Sequence, residues 1–316
     1  MQNKNFVHLH VHSEYSLLDG ACSLDDLIST AISCGMPALA LTDHGNMFGA
    51  IEFYRKANAK GIKPILGFEA YVTSNKNRFE KGAKNEKDKK SKEKLYHITL
   101  LAENNEGYQN LLKLTTDAYL EGFYYKPRLD KELLERYSKG LICLSGCMQS
   151  EFNHYLTGDC LKDAGKSIEE YRNIFGKDNF YLEVQDNNIE NQKELVAKAM
   201  EIGKKTGIPL VATNDVHYIK KADAAVQDVL LCINTQKKLS DTKRMKFRSE
   251  EFYFKPYDEM AMKLGHVPGA IANTLEIAER CNINLEFGRV HLPKFKPDAG
   301  SGIYSDGMTN GEFLRK

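Results

Sequence analysis

The 316-residue sequence reads as an α/β protein, either a parallel β/α barrel or a doubly wound sheet. Three observations lead there. Seven short apolar runs recur over the first two thirds of the chain. Amphipathic segments of helical period lie between most of them. Side chains able to bind metals or carry protons gather at the ends of the runs, where β/α barrels build their sites.

The runs are FVHLHV (6–11), PALALT (37–42), KPILGFEAYV (63–72), YHITLLA (96–102), GLICLSG (140–146), FYLEVQ (180–185) and IPLVAT (208–213). Most are nearly all apolar or rich in β-branched residues, the pattern of strands buried on both faces. In the first, an extended backbone sends successive side chains to opposite faces. Val7, Leu9 and Val11 are then expected on one face, and His8, His10 and His12 on the other.

Between the runs, Ser23 to Asp26 forms a capping box that opens the helix LDDLISTAISCG, with Gly35 placed to end it. GAIEFYRKANAKG ends at Gly61 in the same way. GYQNLLKLTTDAY and DKELLERYSKG follow the fourth run, KDAGKSIEEYRNIFG the fifth, and NQKELVAKAMEIGKKTG the sixth. After residue 218 the alternation stops. DAAVQDVLLCINTQ and PGAIANTLEIAERCN read as helices, and KFRSEEFYFKP as irregular chain or a short strand. The expected organisation is a domain over 1–283, with a barrel core at about 5–218 and a helical extension at about 219–283, followed by a linker over 284–316. The closing GEFLRK reads as the opening of a helix, as in a piece of a longer polypeptide. Residues 74–94 break the pattern with nine Lys/Arg and four Asp/Glu, the composition of a solvated loop; a DNA-facing basic loop is the alternative.

Composition excludes several classes. Lys+Arg of 44 against Asp+Glu of 43 leaves a net charge of +1, so the chain is no strongly basic nucleic-acid clamp and any DNA contact rests on local patches. No stretch is long and apolar enough to span a membrane, and MQNKNF lacks a signal-peptide core. Seven cysteines without a C-x-x-C pair read as reduced thiols in the cytoplasm.

The chemistry lies at the run ends. The first carries His10 and His12, with Asp19 in the loop that follows. The second ends in Asp43 and His44, and the third contains Glu69. The fourth begins with His97, the fifth leads to Cys147, and the seventh to Asp215 and His217. Singly each has an ordinary structural explanation: a core histidine, a buried thiol, a turn aspartate. With Asp43 set aside, they number five His, two Asp, one Glu and one Cys. That is too many for one tetrahedral zinc and suits two or three divalent ions, Zn, Mn or Fe, sharing a carboxylate such as Glu69. Clusters of this kind hydrolyse phosphate esters with a metal-generated hydroxide as nucleophile, so no catalytic protein nucleophile is needed. His8, two residues deeper than His10, is assigned to the barrel interior or to orienting a ligand, and Asp43 is expected to orient a neighbouring ligand.

These residues resemble the PHP (polymerase and histidinol phosphatase) family, whose signature runs H-x-H, D, H, E, H, C or H, and D-x-H. The resemblance implies a distorted seven-stranded (β/α)7 barrel with a trinuclear metal site. Its ligands here would be His10, His12, Asp19, His44, Glu69, His97, Cys147, Asp215 and His217. The strings FVHLHVHSEYSLLDGA, MPALALTDHGNMFGAIEFYRKA, GIKPILGFEAYV, FYYKPRLD, ATNDVHY and ANTLEIAERCNI are similar to the N-terminal region of bacterial DNA polymerase III alpha subunits, from about residue 5 to 297. That implies a PHP domain followed over 284–316 by a linker and the start of the polymerase palm region, the palm itself being absent, in a DNA-directed DNA polymerase of the replisome. Members with a complete site are credited with metal-dependent 3′→5′ exonuclease activity on the 3′ end of the primer strand. Members that have lost ligands serve as scaffolds. The expected partners are DNA, the rest of the polymerase chain, a separate proofreading exonuclease subunit and, through the whole protein, the sliding clamp. Lys126 and Arg128 are candidate phosphate or DNA contacts. A metal-stabilised scaffold and a stand-alone histidinol-phosphatase-like enzyme are the alternatives.

Overall fold

Six of the seven apolar runs form strands in the computed structural model, which describes residues 5–74, 77–80, 94–290, 292 and 308–315. They are β1 (Ala38–Leu41), β2 (Lys63–Thr73), β3 (Leu95–Ala102), β5 (Leu141–Leu144), β6 (Phe180–Val184) and β7 (Leu210–Ala212). A short β4 (Arg128–Leu129), not expected from the sequence, pairs with β2. The sheet order is β1-β2-β3-β5-β6-β7. Nearly every strand residue is buried, as continuous apolar runs require.

The first run is not a ladder strand, yet it closes the sheet. Its carbonyls and amides reach both ends: Ala40 N–H donates to His8 O, Thr42 N–H to Val11 O, Val216 N–H to His10 O, and His12 N–H to Val216 O. Regular pairing fails because hydroxyls intervene. Val11 N–H donates to Thr42 Oγ1 at 2.8 Å, and Val7 N–H to Thr274 Oγ1 at 3.2 Å. The result is a distorted β/α barrel closed by an irregular stave.

One strand runs against expectation. β3 is antiparallel to both β2 and β5, whereas β1–β2, β5–β6 and β6–β7 are parallel. Parallel neighbours need a crossover connection, usually a helix, and none was expected between the third and fourth runs. The Lys-rich connection 74–94 stands there instead; most of it lies outside the described residues. The reversal has a consequence for the site. His97, near the start of β3, pairs with Tyr71 near the end of β2, so the beginning of this strand lies where its neighbours end.

Helices fill the other connections. α1 (Leu24–Ser33) is capped by Ser23, whose Oγ accepts from Asp26 N–H at 3.1 Å. α2 (Ala50–Ala59), α3 (Asn105–Leu120) and α4 (Lys131–Arg136) follow. α5 (Glu151–Thr157) was not foreseen; α6 (Leu161–Phe175) and α7 (Gln192–Thr206) were. Beyond the barrel come α8 (Ala224–Asn234), the unforeseen α9 (Tyr257–Leu264) and α10 (Ala272–Arg280). The chain divides into two compact units, Met1–Ile283 and Asn284–Lys316; the second holds the short α11 (Asn310–Phe313). Among the described residues no helix is long and apolar enough to cross a membrane.

Inside the barrel the side chains change character along the strands. Ile65, Leu101, Ile142, Tyr181 and Val211 form an apolar floor joined by Ile277 and Ala278 of α10. Lys63 Nζ, at the start of β2, donates to Ala278 O at 2.6 Å, which ties α10 to the end opposite the strand termini. Two residues further along the same strand faces stand Gly67, Thr99, Leu144, Glu183 and Thr213, and beyond them the candidate ligands.

Candidate metal centre

The buried carboxylate of Glu69, on β2, is the hub of the site. Its Oε1 lies 2.9 Å from His97 Nδ1, 3.3 Å from His10 Nε2 and 3.3 Å from Cys147 Sγ. Its Oε2 lies 2.5 Å from His44 Nδ1 and 3.6 Å from His12 Nε2. Asp215 Oδ1 adds contacts to His10 Nε2 at 3.3 Å and His12 Nε2 at 3.1 Å. Asp19 faces His44 Nε2 at 3.3 Å and His217 Nε2 at 3.9 Å. All nine sequence-predicted residues are thus linked by contacts in one cluster. Three overlapping sets have ligand atoms close enough to hold an ion: His10, His12 and Glu69; His44, Glu69 and His97; His12, His44 and His217.

The local chain explains how each arrives. Asp215 follows β7 with φ of 52°, a left-handed conformation that costs an aspartate about 1–3 kcal/mol and brings its carboxylate to His10 and His12. The first run bends at His10, which breaks the expected alternation. Val7 and Leu9 join the barrel floor, and His10 also turns inward to Glu183. His8 does not follow. Its Nε2 hydrogen-bonds Lys255 O at 2.8 Å and its ring packs on Phe6 and Phe254, away from the cluster's contacts.

A layer of hydrogen bonds holds the imidazoles from behind. His10 Nδ1 donates to Glu183 Oε1 at 2.7 Å, and that carboxylate also accepts from Thr213 Oγ1, Gln185 Nε2 and Gly146 N–H. His12 Nδ1 meets Ser16 Oγ at 2.9 Å; Ser16 in turn donates to Asp43 Oδ1 at 2.7 Å, so Asp43 reaches His12 through a hydroxyl. Gln227 of α8 donates to Asp19 Oδ1 at 2.9 Å. Sequence reasoning passed over Glu183 and Gln227. An acid inside FYLEVQ was a readable signal, as Glu69 was in its run. Gln227, a lone glutamine on a helix after the barrel, carried none.

The electrostatics test whether these residues suit a cation. With Nδ1 committed to Glu183, His10 Nε2 sits between two carboxylates and has no hydrogen bond; His217 Nε2 is likewise buried without one, while His44 Nδ1 and Glu69 Oε2 face each other as an ion pair at 2.5 Å. Buried polar atoms are rarely left without a hydrogen bond. Burial alone would lower His10, but Glu183, Asp215 and Glu69 hold it well above its ordinary value. Burial is overridden likewise at His44, which Glu69 and Asp19 raise to about 10. Burial and Glu69 push the Cys147 thiol far up. The converging carboxylates call for positive charge at their centre, and the donor set of imidazole, carboxylate and thiol fits divalent ions of the zinc, manganese or iron type.

The cluster has one open side. Asp19 and His44 are its partly exposed members and line a pocket of about 190 Å³ with Tyr71, Lys126 and several aromatic rings. Lys126 Nζ lies 5.1 Å over the Tyr71 ring, on the pocket wall. Arg128 corrects the sequence reading. It is 1% exposed, and its guanidinium donates to the carbonyls of Gly122, Glu80 and Arg78, so it is turned away from any phosphate. Arg128→Ala is expected to cost at least about 3 kcal/mol by orphaning those carbonyls, read as a lower denaturant midpoint.

Comparisons with known proteins give the chain a family. The family model of the PHP domain matches residues 8–187. The chain is 46% identical over 296 residues to DNA polymerase III subunit alpha of Treponema pallidum, covering 94% of this chain and 25% of that one. It is 41% identical over 321 residues to the same subunit of Thermus aquaticus, covering 98% and 25%. It thus spans about a quarter of the length of these relatives. Among solved structures, an amidohydrolase from Chromobacterium violaceum with bound sulfate aligns at TM-score 0.42 and 15% identity, over 67% of this chain and 87% of that one.

Proposed function

Because the chain belongs to the PHP domain family, we propose that its nine clustered residues hold two or three divalent cations and that the loaded site hydrolyses phosphodiesters, as a 3′→5′ exonuclease on DNA. The observation that carries this reading is the convergence of five imidazoles, Asp19, Asp215 and Cys147 around the buried Glu69 carboxylate, with His10 Nε2 and His217 Nε2 buried and without a hydrogen bond. One ion would be held by His10, His12, Glu69 and Asp215, a second by Glu69, His97 and Cys147, and a third by Asp19, His44 and His217, so that the Glu69 carboxylate is shared and no imidazole serves two ions. Bound ions of this type polarise a phosphoryl oxygen and bring water close to ionisation at neutral pH.

The chain's own residues do the rest. Glu183 fixes the tautomer of His10, the Asp43–Ser16 pair fixes His12, and Gln227 steadies Asp19. Asp19 and His44 stand at the open side, where a scissile phosphate would enter, and Lys126 supplies a cation on that wall. The similarity to DNA polymerase III alpha subunits supports placing this domain in a DNA-directed DNA polymerase, with DNA and the remaining polymerase chain as partners.

Plasma mass spectrometry and a 3′-labelled oligonucleotide test the reading together. The protein should carry two or three equivalents of metal and shorten the oligonucleotide from its 3′ end. Asp19→Asn and His12→Ala should each lower that rate at least about a hundredfold, the upper range for disturbing a metal site from outside it, with an unchanged circular dichroism spectrum. Rates untouched by both substitutions would refute it.

A second reading, a metal-stabilised scaffold for the polymerase and a proofreading subunit, is favoured by depth. Seven of the nine residues are buried, so ions there would stabilise the barrel whether or not turnover occurs. It predicts metal and a chelator-sensitive Tm without hydrolysis.

A further inference from the structure

The open side of the cluster is ringed by exposed aromatic side chains that the metal chemistry does not use. Phe48 is 58% exposed, Phe123 51% and Tyr125 82%, and all three line the same pocket as Asp19 and His44. Three rings run together through Tyr119, and Tyr125 stands on the same pocket. Tyr119 and Phe123 are stacked with centroids 6.0 Å apart and planes 22° from parallel, and Phe48 meets Tyr119 at 6.1 Å.

Tyr125 is held there at a cost. It sits at φ 60°, left-handed backbone that a bulky side chain seldom adopts, in a tight turn where Tyr124 N–H donates to Lys126 O at 3.1 Å. Strain of this kind persists where the surroundings impose it, and it clusters at ligand clamps. Here it leaves an unburied ring beside the metal pocket and puts Lys126 next in the chain. Lys126 Nζ stands over Tyr71, and the Tyr71 ring stacks on His44 at 6.0 Å and 23°. One wall of the pocket therefore offers a cation next to the candidate ligands, and the rim offers flat apolar faces.

We propose that Phe48, Tyr119, Phe123 and Tyr125 form a stacking platform for unpaired nucleobases, which feeds a single-stranded 3′ end to the metal site with its phosphate on the Lys126 side. This rests on the exonuclease reading and adds a substrate requirement to it: the terminal base must be free of its partner to lie on a ring. Aromatic faces beside a cation are the shared recipe of single-strand binding, tolerant of sequence because every base has a π-face. A base-paired terminus keeps its faces in the duplex and gains nothing from the rim, so frayed or mismatched ends are selected.

The test reads binding apart from turnover. Fluorescence anisotropy is measured with the metal-loaded chain and two 5′-labelled dT8 oligonucleotides, one complete and one lacking only its 3′-terminal base. Both carry a terminal phosphorothioate to hold back hydrolysis. The complete strand should bind about tenfold more tightly. Tyr125→Asn suits the left-handed backbone while removing the ring, and with Phe123→Ser it should bring the ratio close to one; Tyr125→Phe should keep it. Equal affinity for the two strands, no binding of either, or a ratio unmoved by both ring deletions would overturn the platform. Cleavage is scored separately. Discrimination without hydrolysis leaves the platform standing and removes the exonuclease, and hydrolysis without discrimination does the reverse.

Discussion

Glu69→Gln should strip the metal centre to at most one ion and remove most of the chelator-sensitive part of the protein's stability. Every other candidate ligand except Asp19, Asp215 and His217 lies within 3.6 Å of this one carboxylate, and it is 1% exposed. Glutamine keeps the volume but replaces a charge and two acceptor oxygens with a neutral amide. His10, His44 and His97 then share a buried space with no central anion, and those three neighbours are the groups that hold Glu69 ionised against its burial. The expected content is at most one equivalent of metal, with hydrolysis reduced by more than the roughly 10–100-fold that losing an orienting partner costs. In the parent protein, chelation should lower Tm. Ions present at about 100 times their Kd contribute about 2.7 kcal/mol, roughly 5–10 °C for a domain of this size. In Glu69→Gln the same chelator should shift Tm by little or nothing. A variant that retains two or more equivalents and the full chelator shift would show that Glu69 is an ion-pair partner of histidines and not a bridge between metals.

Asp19 offers a contrast. Among the described residues its carboxylate contacts His44, His217 and Gln227, and it is partly exposed. Burial would raise its carboxyl, but His44, His217 and His12 bring it to about 2. Its replacement should cost activity with a smaller change in Tm, because the ions farther inside keep their ligands. The pair of variants separates a residue that faces substrate from one that holds the centre together.

Much of this was readable from the sequence, for a physical reason. Strands buried on both faces admit few polar residues, so each His, Asp, Glu or Cys at a run end stood out against an apolar background. The antiparallel β3 was not readable in that way. Strand direction is set by the connection, and a Lys-rich stretch carries no periodicity. His97 could be placed at the site only by its residue type, since it begins its run. The break of alternation at His10 escaped as well, because period-two reasoning assumes a regular ladder. Here Thr42 and Thr274 hydroxyls take the place of ladder acceptors. Arg128 misled for a related reason: a basic residue in a loop looks solvent-facing until three carbonyls converge on it. Gln227 belongs to a helix about 200 residues from its partner, and its contact is purely tertiary.

The backbone beneath Cys147 gives the second large effect, Gly146→Ala. The β3–β5 register ends with Thr99 opposite Leu144, and in the turn just beyond it Gly146 lies against the backbone of His97. Gly146 has φ of 93°, and a Cβ built there would stand 2.0 Å from His97 O. That carbonyl belongs to the β2–β3–β5 ladder and cannot yield without moving a ligand strand. Gly146 N–H also donates to Glu183 Oε2 at 3.1 Å, and Glu183 orients His10. One methyl group therefore strains the chain, presses on the strand of His97, shifts Cys147 and loosens the support of His10. The expected loss is at least about 3 kcal/mol, from left-handed strain and overpacking together, with one equivalent of metal gone. Gly176→Ala is the control. It shares the positive φ, 89°, but a Cβ there has nothing within 4 Å, so it reports the conformational cost alone. If the two variants lose equal stability and Gly146→Ala keeps its full metal content, the contact with His97 carries no weight in the site. If Gly146→Ala loses clearly more stability and a metal as well, the SGC turn is part of the centre, with the glycine present to let Cys147 reach Glu69 and His97.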